Sequence, residues 1–98
     1  MIAVFARFRM PANTRASIQE AMAKVILTTR DERGCIRYDC SEDVLEPDLY
    51  RVTEVWTDRP ALEAHAAAPH MAEWTALRAG LGMFDRHAEV FDINTGAA

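Results

Sequence analysis

Residues 54–74 read EVWTDRPALEAHAAAPHMAEW and hold two histidines, two tryptophans and two prolines in 21 positions. Three kinds of chemistry suit such a stretch: metal ligation, proton transfer by imidazole or carboxylate, and aromatic ligand binding. For a metal, His65 and His70 are five positions apart, which on one helix would set them about 140° apart around the axis. Pro69 also interrupts any such helix. With no cysteine or carboxylate at a complementary spacing, the H-E-x-x-H geometry is missing and no metal site is expected.

For proton transfer, the period of a strand puts Tyr50, Val52, Glu54 and Trp56 on one face. Desolvation of a carboxylate among apolar neighbours raises its pKa, which suits a general base or an orienting partner for a histidine. The competing reading pairs Glu54 with Arg7, Arg9 or Arg37 from adjacent strands, the commoner way to bury a carboxylate. His65 follows Leu62 by three and adjoins Ala66, on the buried side of a short helix. A core histidine with both ring nitrogens paired is the alternative there to a functional one. His70 shares a helical face with Trp74, Leu77 and Leu81, as a pocket residue or as the start of a core stripe. Tyr38, in line with Ile36 and Cys40, either shares the Glu54 pocket or packs.

Other chemistries lack their residues. There is no G-x-S-x-G and no phosphate loop, GLG at 80–82 is too brief for a dinucleotide fingerprint, and Cys35 has no recognisable histidine partner. Cys35 and Cys40 fall on one strand, roughly 16 Å apart at about 3.3 Å per residue and on opposite faces, so free packing thiols are expected.

The elements that must position these residues follow from periodicity. IAVFARFR (2–9) alternates as a strand, and PANT turns the chain into a helix capped at Asn13 or Thr14, with a further capping box in Ser17 and Glu20, running to about Arg33. Its stripe is Ile18, Ala21, Met22, Val25 and Ile26, and Gly34 stops it. CIRYDCSE (35–42) and LYRVTEVW (49–56) read as a hairpin across an acidic, proline-containing turn. Pro60 and Pro69 suit the first turns of two short helices at 58–67 and 69–79, ending near Gly80 and Gly82. A last strand spans about 86–93, followed by a small-residue tail. Strand, helix, strand, strand, helix pair, strand is the split β-α-β order of a ferredoxin-like α+β fold: a four-stranded antiparallel sheet with helices on one face.

The opposite face carries Ala3 and Phe5 on the first strand and Leu49 and Val55 on the third, a patch of the kind that marks an interaction surface. A second copy of the same sheet is its simplest cover, so a homodimer through the sheet face, a dimeric α/β-barrel, is expected. With 98 residues the chain supports one domain, and 11 basic against 15 acidic residues give a net charge of −4 that argues against a nucleic-acid or anionic-membrane partner. The N-terminal run MIAVFARFRM is too short and too interrupted by Arg7 and Arg9 for a signal-peptide core or membrane span, so a cytoplasmic protein is expected.

Several of these segments resemble one family. ERGCIRYDC nearly matches an E-G-C-x-x-Y pattern with Arg33 interposed. E-x-W at 54–56, L-E-A-H at 62–65 and P-H-M at 69–71 follow in the spacing of the antibiotic biosynthesis monooxygenase family, with its bacterial quinol monooxygenase branch the best match. The resemblance implies a dimeric ferredoxin-like protein whose members oxidise phenolic, quinol or polyketide substrates with O2 without metal or flavin. It implies that Trp56 is the pocket tryptophan, that His65 is the L-E-A-H histidine and that Glu54 and His70 are flanking motif positions. Val52 stands where polyketide-oxidising members carry asparagine, and Arg7 where heme-degrading members do, which points away from both substrate classes.

The sequence points to a cofactor-independent monooxygenase that oxidises a quinol, polyphenol or related aromatic or polyketide substrate with O2. His65 and Glu54 are its catalytic candidates, and Trp56, Tyr38, His70 and Trp74 its substrate-binding ones. The alternatives are an isomerase of the same fold acting on a small metabolite or signal molecule, or a non-catalytic dimer that binds an aromatic ligand.

Overall fold

The computed structural model describes residues 1–94, so the tail from residue 95 onward lies outside the described residues. The chain runs β1 (Ile2–Arg9), a 3-10 turn (Ala12–Thr14), α1 (Arg15–Arg30), β2 (Cys35–Glu42), β3 (Leu49–Trp56), α2 (Arg59–Ala66), α3 (Pro69–Leu81) and β4 (Phe84–Asp92). All strand pairs are antiparallel, in the order β2-β3-β1-β4. This is the expected ferredoxin-like α+β arrangement, with the helices on one face.

Alternation explains the core. Ile2, Val4 and Phe8 of β1, Tyr38 of β2, and Tyr50 and Trp56 of β3 meet Ile18, Met22 and Val25 of α1 and Trp74 of α3 in one cluster. The helix ends follow local chemistry. Asp58 caps α2 by accepting the Ala61 N–H at 2.9 Å, with Pro60 in the first turn. Gly82, at φ 97°, closes α3 in a left-handed cap.

Helix α1 departs from expectation at both ends. The Thr14 hydroxyl donates back to the Pro11 carbonyl at 2.7 Å and does not cap, and Ser17 lies inside the helix, so no box forms with Glu20. The helix also stops at Arg30, because residues 31–34 turn sharply into β2 with Gly34 at φ 82°. A Cβ at Gly34 would lie 2.6 Å from Ala61 Cβ and 2.7 Å from Thr57 Oγ1. Only glycine lets this turn approach the start of α2 so closely.

A bulge between Cys35 and Arg37 pairs Cys35 with Trp56, while Cys40 pairs with Val52, so both thiols sit on the helix-covered face. The expectation of opposite faces fails for that reason. Both are free and pack against the core. On the open face, Ala3 and Leu49 are already buried within the single chain, which narrows the apolar patch. Phe5 and Phe91 stay exposed there, 5.8 Å apart between ring centroids, and β4 is exposed along its whole length.

Candidate active site

Four elements deliver polar side chains to one place under the sheet. Strand β3 presents Glu54, buried beside Trp56 with its side chain 11% exposed. The last turn of α2 presents His65, whose ring lies 4.7 Å from Trp56 and 5.5 Å from Tyr38 between centroids. The first turn of α3 presents His70, 5.9 Å from His65. The glycine turn after α1 swings Glu32 in from the remaining side.

These groups form a chain. Trp56 Nε1–H donates to Glu54 Oε1 at 3.0 Å, and His65 Nε2 lies 3.8 Å from the same oxygen. The other His65 nitrogen, Nδ1, meets Glu32 Oε2 at 2.8 Å; since a carboxylate only accepts, Nδ1–H is the donor. Glu32 Oε1 is 3.5 Å from His70 Nε2, which is 3.0 Å from the buried Thr29 hydroxyl. Histidine thus stands between two carboxylates, the arrangement that lets an imidazole pass a proton from one side while the other orients it.

A cleft of about 50 Å³ opens on the front of this chain. Glu54, Tyr38, Trp74, Arg78 and Arg86 line it, with Phe8, Val52 and Met71 among its apolar walls. Among the described residues Trp56 donates to Glu54 Oε1, no group donates to Oε2, and Glu54 lines the cleft. Burial is the largest influence on Glu54 and pushes its pKa above the ordinary carboxylate range, against the Trp56 hydrogen bond and the charges of His65 and Arg86. Burial and the nearby Glu54 push the Tyr38 hydroxyl up as well, and burial pushes the Cys40 thiol up to about 12, which keeps that thiol protonated and inert.

The expected residues therefore divide. Glu54, Tyr38 and Trp74 line the cleft. His65 and Trp56, 4% and 0% exposed, stand behind Glu54 and do not line it. His70 faces a separate open groove between α1 and α3, shared with Trp74. The anticipated ion pairs of Glu54 with Arg7, Arg9 or Arg37 do not form: Arg7 and Arg9 turn to Asp85, and Arg37 to Asp39, all on the surface.

The metal geometry needs a correction too. One ligand atom each from Glu32, His65 and His70 lies within 4.8 Å of the others, so the fold supplies the carboxylate that sequence spacing did not. Around a cation, with metal–ligand bonds of about 2.1 Å, neighbouring ligand atoms sit roughly 3.0–3.4 Å apart. The 2.8 Å contact between His65 and Glu32 is instead a hydrogen bond. These three residues could take a cation only by giving that bond up.

The model of the antibiotic biosynthesis monooxygenase family matches residues 1–77. The chain belongs to this family. Among curated relatives, the Escherichia coli K12 protein named "Probable quinol monooxygenase YgiN" is 32% identical over 77 residues, covering 70% of this chain and 74% of that protein. An uncharacterised Synechocystis protein is 39% identical over 46 residues, 47% of this chain and only 31% of its own length. Among solved structures, Rv0793 from Mycobacterium tuberculosis superposes with a TM-score of 0.88 at 27% identity, covering 99% of this chain and 98% of the other. A Deinococcus radiodurans structure superposes with a TM-score of 0.94 at 22% identity over 100% and 97% of the two chains, which speaks to the fold alone. Membership in the family supports a monooxygenase-type function. No helix among the described residues is long and apolar enough to cross a membrane.

Sequence reasoning missed four site residues. Glu32 lies inside the ERGCIRYDC segment that carries the family pattern, so a signal for it exists in the sequence. Thr29 falls on the stripe of Ile18, Met22 and Val25, so its burial is also readable there. Arg78 and Arg86 have no local signal, because only tertiary packing brings α3 and β4 to the same cleft.

Proposed function

We propose that this protein is a cofactor-independent monooxygenase that oxidises a quinol or related hydroxyaromatic compound with O2. The observation that carries the reading is Glu54: a carboxylate raised in pKa, facing an apolar cleft, with one oxygen free. Glu54 Oε2 accepts the phenolic proton, and the electron-rich anion left behind is the species that reduces O2. The overall change balances as hydroquinone plus O2 giving hydroxybenzoquinone plus water, one oxygen atom going to each product. The apolar walls hold the reacting pair away from bulk water. His65 serves as a positioning and relay group behind Glu54, with Glu32 holding its ring, and Tyr38 and Trp74 flank the substrate.

The family model and the quinol monooxygenase relative support this reading over an unrelated chemistry. The test is oxygen uptake by metal-free, flavin-free protein across a hydroquinone panel, corrected for autoxidation. Uptake that falls by about a hundredfold or more in Glu54→Gln supports it, on the usual worth of a general base. No uptake across the panel sinks it. Conversion without oxygen loss would favour an isomerase, since the relay from Glu54 to His65 moves protons without an oxidant. We also propose a homodimer through the open sheet face, supported by exposed Phe5 and Phe91. A monomer on a sizing column at micromolar concentration refutes that assembly.

A further inference from the structure

We infer that the cleft selects a hydroxyaromatic substrate that carries a carboxylate, held by Arg78 and Arg86 while its hydroxyl meets Glu54. The inference rests on the proposed use of Glu54 and adds the substrate's charge. Every other arginine except Arg33 lies within 3.8 Å of a carboxylate oxygen among the described residues. In a chain with 15 acidic residues against 11 basic ones, that pairing is the rule. The two arginines that line the cleft break it, and neither guanidinium makes an ion pair or hydrogen bond among the described residues.

Their placement makes the exception informative. Arg78 is partly buried at the end of α3, its guanidinium 5.8 Å from the centre of the Trp74 ring, and Arg86 projects from β4 into the same cleft. Burial and the charge of Arg86 both bear against the Arg78 cation, so two like charges are held close together. Among the described residues the only carboxylate lining the cleft is Glu54, and it makes no ion pair with either arginine. Two cations over one carboxylate leave an excess positive charge in a site with apolar walls, where an anion gains most from charge-assisted hydrogen bonds. Arg78, stacked near an indole, has the planar fork that takes a carboxylate with two bonds. A ring lying along Tyr38 and Trp74 would present its hydroxyl to Glu54 at one end and its anion to the arginines at the other.

The test is anaerobic titration calorimetry at low salt with 2,5-dihydroxybenzoate, its methyl ester and hydroquinone. Binding without O2 needs no turnover, so this result stands apart from the oxygen-uptake test of the function. The carboxylate is expected to bind about tenfold or more tightly than its ester, with the advantage shrinking as salt rises. In Arg78→Gln and in Arg86→Gln the ratio of carboxylate to ester affinity should fall to about threefold or less, and Arg78→Lys should retain part of it. Equal or tighter binding of the ester, a preference that survives in both glutamine variants, or no binding of the carboxylate at millimolar concentration overturns the inference. Oxygen uptake with neutral quinols alone would overturn it while leaving the proposed function standing.

Discussion

The Trp56→Phe substitution tests the central electrostatic claim. The phenyl ring keeps most of the indole's bulk but removes the Nε1–H that donates to Glu54 Oε1 at 3.0 Å. That bond favours the charged carboxylate, so its loss must move the Glu54 pKa further up. A hydrogen bond to a charged group contributes about 1.5–3 kcal/mol. A tenfold change in the protonation equilibrium corresponds to about 1.4 kcal/mol, so the acid limb of kcat/KM should move to higher pH by about one to two pH units. The full effect is expected because Trp56 is completely buried and water has no easy route to replace the donor. The direction follows from the base being the ionised form, whose activity falls as pH drops through this pKa. Carboxyl 13C shifts of glutamate-labelled protein, assigned against Glu54→Gln, read the same pKa without turnover. An acid limb and a carboxyl titration that stay in place, or that move to lower pH, refute the reasoning. A stability loss of about 1–3 kcal/mol from the smaller ring is expected in either case.

Further substitutions test the rest of the framework. Glu54→Gln should stabilise the protein at pH 8. A folded pKa raised above the unfolded value gives stability that is fully present below about pH 4.3 and lost as pH rises through the folded pKa, by about 1.4 kcal/mol for each pH unit that separates the two values. Urea denaturation at pH 8 and pH 4 should therefore show a gain that vanishes in acid, and a variant less stable than the parent at pH 8 contradicts the sign. The Tyr50 hydroxyl is sealed from solvent and makes no hydrogen bond of good geometry among the described residues, with the Gln19 side chain its nearest polar candidate, so Tyr50→Phe should be neutral or stabilising by up to about 1 kcal/mol, and a larger loss means the hydroxyl bonds Gln19. Gly34→Ala combines a left-handed φ of 82° with contacts of 2.6 and 2.7 Å, and should cost about 2–4 kcal/mol by denaturant titration. Unchanged stability would show that the turn after α1 is not under the constraint that places Glu32.

The individual elements are readable in the sequence because each one's periodicity is local. The alternation of LYRVTEVW puts Glu54 and Trp56 on one face, and the two prolines mark the starts of α2 and α3. The roles within the site are harder to read, because they depend on which element covers which. By sequence His65 looks like the group that meets substrate, yet α2 sits behind β3 at this point, so both its nitrogens face carboxylates. Glu32 and His65 are 33 positions apart, and only the Gly34 turn brings them to hydrogen-bond distance. Arg86 depends on register, since the pairing that sets Val4 against Val90 and Ala6 against Ala88 carries on to place Arg86 on the helix-covered face. A slip of one residue would turn Arg86 to the open face. The register itself decides the substrate inference: with β4 slipped by one residue the cleft would hold Glu54 and Arg78 alone, a charge-balanced pair with no need of an anion. The specificity of this site is thus written in a strand register, and its base in a side-chain alternation that the sequence already displays.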